Sequence, residues 1–255
     1  MLAIDAQAKA KLIAALEQGA RRTYSLIGQM TEYHGGPVRT EYMLTTDVAR
    51  ALVDGGYEVS VECLNRDLLG WDTRDRQKLL RSKRTDIAVM NGEEPVALVE
   101  LKIGVSKLRA IKVDLDKIGT TIGLMPAATA ARVMGVSLFQ VHVGGHDKRW
   151  RMEAIAARSD AILARLRTDL SVYARDHSNL SFELKTLSAG GEADRDLEPD
   201  GDGLAWGTHG HRTTFHVVTI ESRRPAEPAP TPFAELRERS SWSTSPGSKE
   251  SLASD

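Results

Sequence analysis

The chain runs to 255 residues, with 34 Lys and Arg against 35 Asp and Glu, a formal net charge of −1 and a single cysteine. Near-neutral charge excludes an overall electrostatic grip on nucleic acid, so any such contact must come from a local patch. One cysteine excludes an internal disulfide and suits the cytoplasm, and no apolar run approaches a membrane span or a signal-peptide core, so a cytoplasmic protein is expected.

In chain order, residues 5–31 predict a helix with Leu12, Leu16, Ala20, Tyr24 and Ile27 along one stripe, able to pack on a core. Tyr42 to Val53 predicts a second helix, with Thr40 as N-cap and Gly55-Gly56 as the stop. Tyr57–Leu64 alternates as a strand, and Cys63 shares a face with Val59 and Val61, as a buried structural thiol would. Two further strands, Thr85–Met90 and Val96–Lys102, flank a turn that opens with Asn91-Gly92, a strong hairpin cue. Leu108, Ile111, Leu115, Ile118 and Ile122 recur at helical spacing, and Val136–Val143 follows as a strand closed by Gly144-Gly145. Residues 151–176 carry Ile155, Ile162, Leu166, Leu170 and Tyr173 on one helical face, which suits packing or, as a second reading, dimerisation. Strands over Leu180–Leu187 and Thr214–Glu221 follow, joined by a polar stretch from Ser188 to Gly203. Residues 225–255 are rich in Pro, Ser and Glu and predict a disordered tail.

The hairpin carries the chemistry. If Asn91–Pro95 form a five-residue loop, Met90 faces Val96, and counting outward sets Asp86 opposite Glu100. Opposed residues share a face with Cβ atoms roughly 4.5–5.5 Å apart, and the period of two adds Lys102 to that face. Two carboxylates so close repel, a divalent cation removes the conflict, and an adjacent ammonium stabilises developing negative charge. That is the equipment of a metal-dependent phosphodiesterase. The triplet Glu183-Leu184-Lys185 repeats the pattern on another predicted strand, but no acid-bearing strand and tight turn precede it.

Asp86, thirteen intervening residues and Glu100-Leu101-Lys102 resemble the signature of the PD-(D/E)XK nuclease superfamily, with Thr85 where the motif's name has Pro. The resemblance covers about residues 40–143. It implies an α/β fold with a restriction-endonuclease-like core, ordered helix-strand-strand-strand-helix-strand, in a mixed sheet flanked by helices. On this reading residues 1–35 are an N-terminal helical extension and 36–148 the nuclease-like core. Residues 149–224 add a C-terminal helix and strand pair, and 225–255 the tail. The implied activity is Mg²⁺-dependent endonucleolytic cleavage of DNA leaving a 5′-phosphate, with Mn²⁺ able to substitute. Asp86, Glu100 and the Leu101 carbonyl would hold the metal, Lys102 would orient water or stabilise the transition state, and Glu41 would hold a second metal or water. Glu41 lies on the helix face of Leu44, Val48 and Leu52, although a first-turn Glu is also at home in solvent.

Arg74, Arg76, Lys78, Arg81, Lys83 and Arg84 fall within eleven residues just ahead of the Asp86 strand. Their position favours contact with DNA phosphates over a merely solvated loop. Gln140 and His142 could point toward the same site, although a satisfied polar residue on a strand face is the commoner case. His209, His211 and His216 lack a partner at zinc-like spacing, and the paired glycines at 35–36, 55–56 and 190–191 predict turns. Two alternatives stay open: a non-cleaving nucleic-acid-binding or assembly protein, and an RNA-directed phosphodiesterase.

Overall fold

The computed structural model describes residues 5–34, 40–69, 83–144, 151–193 and 210–223. Helix α1 (Ala6–His34) and helix α2 (Thr40–Asp54) precede strand β1 (Glu58–Leu64). Strands β2 (Arg84–Asn91) and β3 (Glu94–Lys102) form the hairpin, followed by helix α3 (Arg109–Leu124) and strand β4 (Met134–Gly144). Helix α4 (Met152–Asp176) and strands β5 (Leu180–Ala193) and β6 (His211–Ser222) close the described chain. The order helix-strand-strand-strand-helix-strand, with helices added at both ends, is the layout the sequence predicts.

All the strands join one six-stranded sheet in the order β1-β2-β3-β4-β6-β5. Only β3 and β4 run parallel, and α3 makes the crossover that a parallel pair requires. The central strands β2, β3, β4 and β6 are buried on both faces. Leu12, Leu16 and Ala20 of α1 and Leu44, Val48 and Leu52 of α2 cover one face against Val89, Val99, Leu138 and Val217. Ile111, Leu115 and Ile118 of α3 and Ile155, Leu166 and Leu170 of α4 cover the other against Leu98, Phe139 and Val218. The strands β5 and β6 therefore extend the same sheet. Gly19 lets α1 and α2 approach, since a Cβ there would stand 2.5 Å from Val48 Cα.

Several local expectations need correction. The hairpin turn is two residues, Gly92-Glu93, not five, with Asn91 paired to Glu94 and Met90 to Pro95. Gly92 supplies the positive φ that such a tight turn demands. A bulge then leaves Val96 unpaired, and Val89 meets Ala97. The shorter turn and the bulge cancel, so the pairing deeper in the hairpin is the predicted one. Strand β5 runs on to Ala193, and Gly190-Gly191 are not a turn but pair with Thr214 and Thr213 just after an irregularity that begins at Thr186. Gly190 has φ +100 and a Cβ there would sit 2.2 Å from Thr213 O, so the strand can pass only as glycine. On α4 the buried stripe runs Ile155, Ser159, Leu163, Leu166, Leu170 and Tyr173, and Ile162 lies at its margin. Gly35-Gly36, His209, Arg74, Arg76, Lys78, Arg81 and the tail lie outside the described residues.

Candidate metal and phosphate site

The β2–β3 register, Ile87 with Val99, continues one residue outward to set Asp86 beside Glu100. The β1–β2 register, with Val61 on Ile87 and Cys63 on Thr85, sets Glu62 on the other side of Asp86. Glu100 in turn pairs with Ser137 of the parallel strand β4. A single cross-strand row therefore reads Glu62, Asp86, Glu100, Ser137. Its face is the one covered by α3, because Ala88 and Leu98, two residues further along the same strands, pack in the α3 cluster. Gln140 and His142 do not belong to this face; Phe139 does, and His142 instead bonds Thr213 Oγ1 at 2.8 Å.

The two central members of the row, Asp86 and Glu100, are held by their neighbours. The Leu101 N–H donates to Asp86 Oδ2 at 2.8 Å, which fixes the Asp86 carboxylate beside the Glu100-Leu101 backbone. Glu100 is only 2% exposed, and its Oε2 is paired with the ammonium of Lys117 from α3. Its other oxygen, Oε1, is buried without a hydrogen-bond partner, and so is Ser137 Oγ beside it in the row. Lys102 Nζ reaches Glu41 Oε1 of α2 at 3.2 Å. Glu62 occupies the left-handed region, φ +54, a conformation that costs a side-chain-bearing residue about 1–2 kcal/mol.

The electrostatics follow from this crowding. Burial pushes the Asp86 carboxyl up, against the Leu101 hydrogen bond and the charge of Lys117. Burial, and then the Asp86 charge, push Glu100 up to about 8, and Lys117 offsets only part of this. Asp114, one helical turn before Lys117, is also raised by burial, with Lys117 and Lys102 opposing. Burial draws the Lys102 ammonium down, but Glu41, Asp114 and Asp86 together lift it above the usual lysine range. Carboxyls held up by burial and by one another gain most from an added cation.

The sequence reading did not include Lys117, Asp114 or Glu62. Lys117 and Asp114 lie on the same helix as the apolar stripe and carry no motif of their own. Only the parallel β3–β4 crossover brings that helix over Glu100. Behind the site, Asn65 Nδ2 donates to Thr121 Oγ1 at 2.8 Å, and Thr85 Oγ1 donates to Asn65 Oδ1 at 3.0 Å. This buried network ties α3 to the start of β2 and so fixes the height of Lys117 over the row.

The remaining sequence candidates flank the row or lie away from it. Lys83 and Arg84 are exposed and stand immediately before Asp86. Glu183 and Lys185 of the second triplet belong to the far edge strand, where Glu183 pairs with Lys9 of α1 at 3.0 Å. His216 is fully buried, bonded to Thr186 at 3.1 Å and Thr214 at 2.8 Å, and is a satisfied core histidine. Cys63 is half-buried on the edge strand β1, and burial raises its thiol above the ordinary value, which does not suit a nucleophile.

As a cation site the residues offer hard oxygen donors: two carboxylates, one buried oxygen without a partner, and an excess of negative charge. Among the described residues, no three His, Cys, Asp or Glu side chains are grouped so as to hold a metal ion between them. No helix among the described residues is long and apolar enough to cross a membrane. No protein-family profile, curated protein or solved structure matches this chain.

Proposed function

We propose that this chain is a metal-dependent endonuclease that hydrolyses DNA phosphodiester bonds, a member of the PD-(D/E)XK superfamily. The observation that carries the reading is the Asp86–Glu100 pair, set side by side on one face with Glu100 Oε1 buried and unpartnered. A structural ion pair has no need of that second carboxylate, since like charges opposed across a ladder destabilise it. Asp86, Glu100 and the Leu101 carbonyl are the groups that would hold a Mg²⁺ or Mn²⁺ ion. Such an ion supplies Lewis acidity toward a phosphoryl oxygen and makes hydroxide available near neutral pH.

The chain's own residues do the rest. Lys102, about a third exposed, carries its charge at the rim where a phosphate would approach, and Glu41 holds it there. Its ammonium stabilises charge that develops on the phosphate in the transition state. Lys83 and Arg84 lead into the site and neutralise flanking phosphates.

A second reading draws on the Lys117–Glu100 pair. In it, the lysine has permanently taken the cation's place, and the protein binds nucleic acid without cutting it.

The test is to incubate the purified protein with supercoiled, linear and single-stranded DNA and with RNA, in Mg²⁺, in Mn²⁺ or in EDTA. Nicking or linearisation of DNA with either metal, abolished by EDTA and by Asp86→Asn, is the expected result. Cleavage of RNA alone moves the substrate class. Binding without cleavage in every arm establishes the second reading.

A further inference from the structure

The geometry points to Lys117 as an internal cation that holds Glu100 of the Asp86–Glu100 site in the metal-free protein and competes with a divalent ion for that carboxylate. The inference rests on the metal-dependent reading above and concerns how that site is controlled.

Three observations carry it. First, the Lys117 side chain is only 12% exposed, and its Nζ donates both to the Glu100 carboxylate and to the Arg84 carbonyl at 2.6 Å. It sits where a cation would be needed, at the one carboxylate of the row that water cannot reach. Second, the substitute is incomplete. It satisfies Glu100 Oε2 and leaves Oε1 buried without a partner. Around it, Glu41, Glu62, Asp86, Glu100 and Asp114 set five carboxylates against the two ammonium groups of Lys102 and Lys117. When all are ionised, the excess is three negative charges, most of which a divalent ion would neutralise and a lysine already counted cannot. Third, the backbone beneath Lys117 is fixed. Thr121 Oγ1 donates to the Lys117 carbonyl at 2.8 Å and itself accepts from Asn65. The helix therefore holds the ammonium over Glu100, while the flexible side chain lets it withdraw when a stronger cation arrives.

The consequence is competition. The apparent affinity for a divalent ion is reduced by the fraction of molecules in which Lys117 still holds Glu100. Removing the ammonium should raise that affinity, whereas removing an ordinary supporting residue would lower it.

The experiment uses the full chain with Lys117→Met, Lys117→Arg and the double variant Lys117→Met/Glu100→Gln. Mn²⁺ binding is measured by electron paramagnetic resonance, and melting temperature in EDTA and in Mn²⁺. Lys117→Met should bind Mn²⁺ about tenfold or more tightly than wild type. It should melt lower in EDTA and gain more from Mn²⁺ than wild type does. The EDTA deficit should vanish in the double variant, which also keeps the question open to measurement if the single variant folds poorly. Lys117→Arg keeps the charge and should bind Mn²⁺ no more tightly than wild type. Mn²⁺ bound by wild type but bound equally or less tightly by Lys117→Met overturns the inference alone. No Mn²⁺ binding by wild type or either single variant overturns both the inference and the metal-dependent reading beneath it.

Discussion

Lys102 of β3 and Glu41 of α2 meet at 3.2 Å, joining the end of a central strand to a helix that covers the opposite face of the sheet. Both side chains are more than a third exposed, so the contact adds little to stability. Its value lies in position: it holds an ammonium at the open end of the carboxylate row.

Lys102→Ala should leave folding intact and Mn²⁺ affinity near wild type, while DNA cleavage slows by a factor of about 10² or more. Lys185→Ala, in the second Glu-Leu-Lys triplet, should be silent. Single-turnover cleavage rates of the two variants side by side decide the matter; equal effects would place the chemistry on the wrong strand.

The stability of the metal-free protein should carry the signature of Glu100. Its carboxyl is raised from an ordinary value near 4.5 to about 8. The folded state thus binds the proton more tightly than the unfolded chain does. The resulting stabilisation is complete below about pH 4.5 and is lost as pH rises through about 8. In EDTA, Glu100→Gln should remove this downward slope of melting temperature between those limits. With Mg²⁺ or Mn²⁺ present the wild-type trend should reverse, since the ion needs the deprotonated carboxylate and its binding releases the proton.

His216 should act in the opposite sense. Burial, with Arg167 and Arg212 nearby, lowers it from 6.5 to about 4. The unfolded chain takes up a proton that the folded protein refuses, so stability falls as pH drops from about 6.5 through 4. The melting temperature of wild type minus that of His216→Gln should therefore decline over this range and stay flat above it. A flat difference throughout would mean that the ring takes up its proton in the fold as readily as in the unfolded chain.

The elements and their order were legible because the helices carry a 3.6 period and the central strands are short aliphatic runs bounded by turn residues. The placing of Asp86 opposite Glu100 was reached with the wrong turn: neither the tight Gly92-Glu93 turn nor the Val96 bulge was read, and their effects cancel. A bulge leaves no compositional mark when the extra residue is itself a valine. Lys117 and Asp114 were illegible for a different reason. Their role depends on which strand α3 crosses to reach, and local periodicity does not encode that. Alternation along β4 gives two faces without saying which one meets Glu100, so the sequence left open whether Gln140 and His142 reach the site; His142 is instead bonded to Thr213 on the other face.

Two glycines should respond with opposite sign to the same substitution. Gly190→Ala drives a Cβ to 2.2 Å from Thr213 O at a φ of +100 and should cost about 2–3 kcal/mol. Gly123→Ala places its Cβ in open space on α3 and should stabilise by about 0.5 kcal/mol, since alanine loses less backbone freedom in a helix. Denaturant midpoints measure both.

Changing Lys83 and Arg84 together to Ala should weaken DNA binding and reduce the log–log salt slope by about one unit for each phosphate no longer neutralised. An unchanged slope in fluorescence anisotropy titrations would show that the nucleic-acid track lies elsewhere.

The unpaired Val96 gives this hairpin a spare residue. Deleting it would straighten the ladder while leaving Asn91 on Glu94, Met90 on Pro95 and Val89 on Ala97, so the acids below would keep their partners. Deleting a residue from the paired stretch between Ala97 and Val99 would instead turn Glu100 toward α1 and α2. The tip can thus change length across related chains while the spacing that matters is counted from the bulge inward. A fixed interval between the two acids in the sequence is therefore a poor ruler for finding this arrangement elsewhere.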